Sequence, residues 1–382
     1  MHLKKVTITV FNLDDNGTFE AIGEINQYTS LMWPDGFNGY TTFELCAPIT
    51  EENKTLIKQD HIFWCGGDNA ARVEIIESDK NDNGEKVYKV KGRTLEMLLT
   101  TRIIWGTYDC YNTPTSTAMY EIVDKQCVNP SRAERKIPFL ECAMDEGIGK
   151  SVTFQRTGAE VYEALRSLAS DADLGFNILF RPKEKKLVFK VTEGVDRSIV
   201  PLAAGDPAPV IFSTDLEDIL SSSYYTNNQD VKSVAFVAGE GEGVYRKNTT
   251  SGDDSLSGFL RREVYVDARD LQSEVLKEDG STATLSEAEY MAALNNRGDE
   301  KLSECVVTET FESQIRVSGG QYVYGVDYNK GDKVIMQDLE LGVQVTGKIT
   351  EVSENYDDEY ELILTFGYSY PTLIQKIKRQ IS

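Results

Sequence analysis

From its first residues the chain alternates. In VTITVFN (6–12) polar and apolar positions take turns, DDNGT makes a tight turn, and FEAIGEI returns as the second strand of a hairpin. MWPDGFNGY (32–40) mixes Gly, Pro and aromatic residues and reads as a loop. TTFELCAP is a strand, and ARVEIIESDKNDNGEKVYKVKG is a hairpin closed by a polar turn. RTLEMLLTTRII then sets Leu95, Leu98, Leu99 and Ile103 at helical spacing.

The period changes near residue 106. STAMYEIVDKQCV predicts a helix with Met119, Ile122, Val123 and Cys127 on one side. TGAEVYEALRSLASDADLG spaces Thr157 and Glu160 as a capping box, turns Val161, Leu165, Leu168 and Ala169 inward and stops near Gly175. FNILF and KLVFKV form a hairpin about RPKEK, and AAGDPAPVI reads as a linker. Strands follow through ILSSSYYTNNQDVKSVAFVAGEGEG, and RREVYVDARD is extended. Ser286 with Glu289 caps a helix over EAEYMAALNNRGDEKLSE. Strands resume at Val306, and YPTLIQKIKRQ closes the chain as a helix-like piece.

Two distant segments share an order of elements. KQDHI, ARVEIIES and KVYKVKGRTLEMLL match KGDKV, VQVTGKITEV and EYELILTFGYSYPTLI, setting Asp60 against Asp332, Ile75 against Ile349, Glu77 against Glu351 and Gly92 against Gly367. Hairpins can resemble one another by chance. The alternative is two copies of one small β-barrel. The predicted fold is mainly β with α+β parts: an N-terminal β-barrel domain at 1–105, an α+β domain at 106–205, a second β-barrel from 206–262 with 306–382, and a helical insertion at 263–305. Three such chains would place six similar barrels in a ring, which also covers sheet edges.

Charge narrows the function. Against 62 acidic residues stand 40 basic ones, a net −22. That disfavours specific nucleic-acid binding, which needs cations on phosphates, and docking on an anionic membrane. No apolar run approaches the roughly 18 residues of a membrane span. The N-terminus reads as a strand, not an export signal, so synthesis in a cytoplasm is expected. The six cysteines (46, 65, 110, 127, 142 and 305) contain no Cys-x-x-Cys and read as buried thiols.

Candidate chemistry is sparse. Gly239, Gly241 and Gly243 lack dinucleotide-fold spacing, and Glu240 and Glu242 between them would repel a phosphate, so VAFVAGEGEGVYR reads as a strand ending in a turn. Of the two histidines, His2 is terminal and His61 sits in a strand with no nucleophile motif nearby. Asp79, Asn81, Asn83 and Gly84 imitate half a calcium loop, but Val90 stands where the bidentate Glu belongs. The acidic pairs Glu217–Asp218, Asp253–Asp254 and Asp357–Asp358 fall in turns and read as solvated surface. Arg261, Glu263, Tyr265 and Asp267 share one face of an extended segment, with Arg262, Val264 and Val266 on the other; this suits a salt-bridged strand at a domain or subunit contact. No catalytic, cofactor-binding or metal-ligating residue is assigned, and no cofactor. The rival classes are a cell-wall or polysaccharide hydrolase using surface carboxylates, and a carbohydrate-binding adhesin using Trp33, Phe37 and Tyr40.

VTITVFNLDDNGTFEAIGEI, SLMWPDGFNGYTTFELCAP, KVKGRTLEMLLTTRII before MYEIVDKQCVNP, and SYYTNNQDVKSVAFVAGEGEG with RREVYVDARDL resemble, in their order, the baseplate hub or tail-associated proteins of long-tailed phages, in the siphophage and prophage branch. The resemblance implies a non-enzymatic virion tail protein, made in the bacterial cytoplasm. It implies a homotrimer near the tail tip that meets the distal tail and tape-measure proteins and, in some relatives, fibre or receptor-binding proteins. Acidic residues lining its channel would keep DNA from sticking during passage. Appended hydrolase modules, found in many relatives, are not expected before Ser382.

Overall fold

A computed structural model of the chain describes residues 5–14, 16–80, 84–198, 207–213, 219–276, 282–315, 321–338, 343–357 and 360–369. The opening alternation folds as expected. β1 (Ile8–Leu13) and β2 (Phe19–Ile25) form a hairpin, followed by β3 (Ser30–Gly36), β4 (Thr42–Pro48), a short helix α1 (Glu51–Leu56), β5 (Ile62–Trp64), β6 (Ala70–Lys80) and β7 (Lys86–Thr94). They pair in the order β3-β4-β7-β6-β5-β1-β2. The inward set, among it Val10, Phe43, Leu45, Phe63, Val73 and Val90, makes one apolar core. Period-2 burial is what gives each of these strands a dry face.

The middle of the chain holds β8 (Thr107–Pro114), α2 (Thr115–Val123), β9 (Leu140–Cys142), β10 (Ser151–Thr157), α3 (Val161–Ala172), β11 (Leu174–Arg181) and β12 (Lys186–Glu193). β8 pairs with β10, and β11-β12-β9 form a small sheet. Met119, Ile122, Val123 and Cys127 are buried as expected, as are Val161, Leu165, Leu168 and Ala169. They share a core with Phe11 and Phe19 of the first hairpin, where Phe19 stacks on Phe180 at 5.4 Å.

The second end begins with β13 (Ile211–Ser213) and β14 (Ile219–Asn227) and breaks for an insertion. The insertion carries β15 (Val234–Ala238), β16 (Asn248–Gly252), β17 (Glu263–Asp267), β18 (Glu274–Leu276), β19 (Thr282–Thr284) and α4 (Glu287–Glu304). The end resumes with β20 (Thr308–Ile315), β21 (Lys333–Asp338), β22 (Val343–Tyr356) and β23 (Tyr360–Ser369). The sheet β16-β15-β17 packs Ala235 and Val237 against Tyr290 and Leu294 of α4. The Ser286–Glu289 capping box forms in full. Residues 234–262 therefore pair within the insertion, not with the strands at 306–369.

Several expectations change. Among the described residues, neither end is closed into a barrel by strand pairing. β22 pairs with β3, so strands of both ends join one open sheet of 13 strands. MWPDGFNGY is not wholly loop, because Met32–Gly36 belong to β3. Pro34 is tolerated because β4 pairs only with Ser30–Met32, leaving Pro34 with β22 on a single side. The segment after β7 is a 3-10 turn, Leu95–Thr101, which is all that seven residues ending in extended Arg102 need. Thr157 stays in β10 with its hydroxyl 2.8 Å from that of Thr107, so the cap of α3 is Glu160, without a side-chain bond. The helix stops at Asp173, in the left-handed region at φ 60°, and Gly175 lies in β11. The closing YPTLIQKIKRQ, Asn81, Asn83, Glu217, Asp218, Asp358 and the first part of the AAGDPAPVI linker lie outside the described residues.

Candidate assembly interface

Several of the side chains with candidate chemistry are tied into the fold. Gly239 lies against α4, where a Cβ would come within 2.3 Å of the Tyr290 hydroxyl. That hydroxyl accepts the Glu240 N–H at 2.8 Å and donates to the Leu271 carbonyl at 3.1 Å. The Glu240 carboxylate takes Lys247 Nζ at 2.8 Å and Ser273 N at 2.9 Å; burial pushes its pKa up, but these bonds outweigh it and the group titrates below the usual range. Gly241 and Gly243 have positive φ and serve the turn. His61 Nδ1 bonds the Leu56 carbonyl at 2.8 Å. Asp79 pairs with Lys89 across the β6–β7 hairpin. Arg261 bridges Asp254 and Glu263, while Asp267 takes Arg246 and Arg269. Among the described residues no three His, Cys, Asp or Glu side chains converge as a metal site, and no helix is long and apolar enough to cross a membrane. Burial pushes the Cys127 and Cys142 thiols up to about 12, which keeps them unreactive.

The informative geometry lies where the two ends meet. β3 and β22 run antiparallel with Leu31 opposite Tyr356, Trp33 opposite Glu354 and Gly36 opposite Glu351. Trp33, Leu31 and Tyr356 are buried together in the first core. Lys330 forms an ion pair with Asp35 of β3. Phe37 locks three parts of the chain. Its N–H donates to the Thr350 carbonyl at 2.8 Å, its carbonyl accepts Phe176 N–H at 3.1 Å, and Lys348 Nζ sits 4.6 Å from its ring centroid. The ring leaves no room for a Cβ at Gly175 or Gly331, which would approach within 2.5 and 2.2 Å. Trp33 and Phe37 are thus buried joints, which removes the exposed platform that an adhesin reading required.

The strand pairings also define how the ends are related. In each, a central strand has a bulge: at Glu74 in β6, between the pairs Val73–Gly92 and Ile75–Lys91, and at Thr350 in β22, between Ile349–Phe366 and Glu351–Thr365. Before it, Ile62–Arg72 and Phe63–Ala71 correspond to Lys333–Lys348 and Val334–Gly347. A left-handed residue, Asp60 or Gly331, donates its N–H to the carbonyl of Val73 or Ile349. Outward, β4 and β3 correspond to β20 and β14. Five strands therefore recur in the same chain order and register: β3, β4, β5, β6, β7 and β14, β20, β21, β22, β23. The repeat is present, but its register differs from the sequence match. Asp60 corresponds to Gly331, Ile75 to Glu351, Glu77 to Ser353 and Gly92 to Phe366. The bulges and unequal turns move the match by one or two residues, and Gly92 and Gly367 flank equivalent bulges from adjacent positions.

The chain matches the Siphovirus ReqiPepy6 Gp37-like protein family over residues 7–368. It belongs to that family. The family resemblance drawn from the order of the segments agrees with this, as does the expected location in a virion tail. The chain matches no curated protein. Among solved structures it is similar to a tail protein from Neisseria meningitidis MC58, with 13% identity, TM-score 0.54, and coverage of 96% of this chain and 100% of that one. It is likewise similar to the prophage MuSo2 43 kDa tail protein from Shewanella oneidensis, with 13% identity, TM-score 0.52, and coverage of 94% and 98%. The prophage tail protein gp18 from Listeria monocytogenes EGD-e gives 12% identity, TM-score 0.50, and coverage of 99% and 98%. At these identities the likeness is one of fold.

For this Gp37-like chain, the residues that the sequence did not reveal are those of the joint. Asp35, Phe37, Gly175, Lys330 and Gly331 come from three distant segments. The one local signal was Gly331 beside Asp332 in KGD, a turn composition that does not reveal what packs over it.

Proposed function

We propose that this chain is a structural component of a phage tail, the subunit of a homotrimeric hub at the tail tip, joining the distal tail ring to the tip. One observation carries the reading: the same five-strand module occurs twice and is already joined edge to edge inside one chain. A protein that presents two equivalent modules can imitate six subunits with three, which suits contact with a sixfold ring. The working parts are the two end modules, joined in one sheet, with the middle domain and the insertion held beside them. The distal tail and tape-measure proteins are the expected partners, with fibre or receptor-binding proteins beyond. The role is one of interfaces, not of catalysis.

Light scattering on the purified chain, alone and with its distal tail protein, tests this. A mass near three times 42.8 kDa supports the hub. A solitary subunit under both conditions, or one that cleaves peptidoglycan or polysaccharide, contradicts it.

A further inference from the structure

Among the described residues, the junction between β3 and β22 has two counterpart edges that carry no strand partner. β6 pairs with β5 only at Ala70–Arg72 and beyond its bulge has β7 as its backbone partner, on one side. Its equivalent, β22, uses that outer side at Glu351–Tyr356 to bind β3. β14, the equivalent of β3, ends the sheet order with β20 as its neighbour. Each half of the internal contact thus recurs once, as an edge.

We propose that neighbouring copies of this chain join by repeating that contact, with β6 of one copy running antiparallel to β14 of the next. The occupant of each edge is a second copy of the chain. The inference rests on the trimeric reading and adds its register. Carrying Gly36–Glu351 and Leu31–Tyr356 through the strand equivalences sets Ile75 opposite Asn227, Glu77 opposite Tyr225 and Lys80 opposite Ser222 of the next copy.

A second observation agrees. Ile75 and Tyr225 are 49% and 56% exposed, large apolar side chains standing on open strands. In the proposed register they fall on one face as diagonal neighbours, within reach of each other across the pair. A slip of one residue would put them on opposite faces. The contact is head-to-tail, and such contacts build a closed ring when the rotation per step returns to the start. Here the internal junction supplies every second step. Pairing also removes two open edges that would otherwise template aggregation.

The test is a disulfide across the register. The double variant Glu77→Cys with Tyr225→Cys, mildly oxidised, should give covalent dimers and closed covalent trimers on a non-reducing gel. The unaltered chain with its six cysteines, and the slipped pair Glu77→Cys with Asn227→Cys, should not. On the unaltered protein, amide exchange in 75–80 and 222–227 should slow about tenfold or more on assembly. This second readout decides the matter if the double variant fails to fold. A trimer by light scattering in which neither segment is protected overturns this junction and leaves the hub reading standing. A chain that never forms a trimer, with or without the distal tail protein, overturns both.

Discussion

Glu96 sits inside the protein, 3% exposed, on a turn whose sequence pattern marks only its leucines as inward. Its Oε1 accepts Ile178 N–H at 2.9 Å and Asn177 Nδ2 at 3.2 Å, so one carboxyl pins the turn after β7 to β11. Burial raises its pKa most, and the bonds from Thr94 and Ile178 and the charge of Lys330 offset only part of that. A raised acid pKa means the folded state holds the proton more tightly. The stability it contributes is full below the unfolded value and falls as pH rises through the raised one. Glu96→Gln keeps an acceptor and removes the titration. Urea midpoints measured from the ordinary carboxylate range up to neutrality should fall for the native chain relative to this variant; parallel curves would refute the assignment. Asp332 is a second such anchor. Its carboxylate takes Val195 N–H at 2.9 Å, Arg197 Nε at 2.7 Å and Asn329 N–H at 3.0 Å, with the pair largely out of water. Asp332→Ala leaves Arg197 unpaired and should lower unfolding free energy by about 3 kcal/mol, read from urea denaturation; a change within error would show the pair to be dispensable.

Between elements, the decisive contacts gather at Phe37. Phe37→Ala opens a cavity between both end modules and the middle domain and should lower stability by about 3 to 5 kcal/mol. Gly331→Ala puts a Cβ into the same ring at a backbone with φ 89° and should cost about 2 kcal/mol by overpacking and strain. Thermal melts of the two variants check both, and a Gly331→Ala melt that matches the native chain would show that the ring yields. This joint was hard to read from the chain. Strands with clean alternation, such as ITVFNL and KLVFKV, are legible because a half-buried strand needs only local pattern. β3 was not, because Pro34 and Gly36 argue against a strand anywhere but at an edge. The repeat was legible as an order of strands and misread in register, since one bulged residue shifts every later pair. For the interface, Ile75 and Tyr225 look ordinary in sequence; only the pairings show that both stand on matching edges.

At the scale of the whole molecule, charge opposes assembly. Each chain brings a net −22, so three chains in the proposed ring would repel one another. If backbone pairing and apolar contact drive assembly, screening should favour it. The trimer fraction by light scattering should then rise as salt increases from low to physiological strength, where the Debye length is about 8 Å. A trimer that dissociates on adding salt would point instead to ion pairs between copies. Edge-to-edge growth also predicts a shape. Single-particle cryo-electron microscopy of the assembled protein, viewed end-on, would image that ring. The expected image is a closed ring of six near-equal lobes from three chains, alternately joined within a chain and between chains. Three unequal lobes with no strand continuity between copies, or single unassociated subunits in the presence of the distal tail protein, would contradict it.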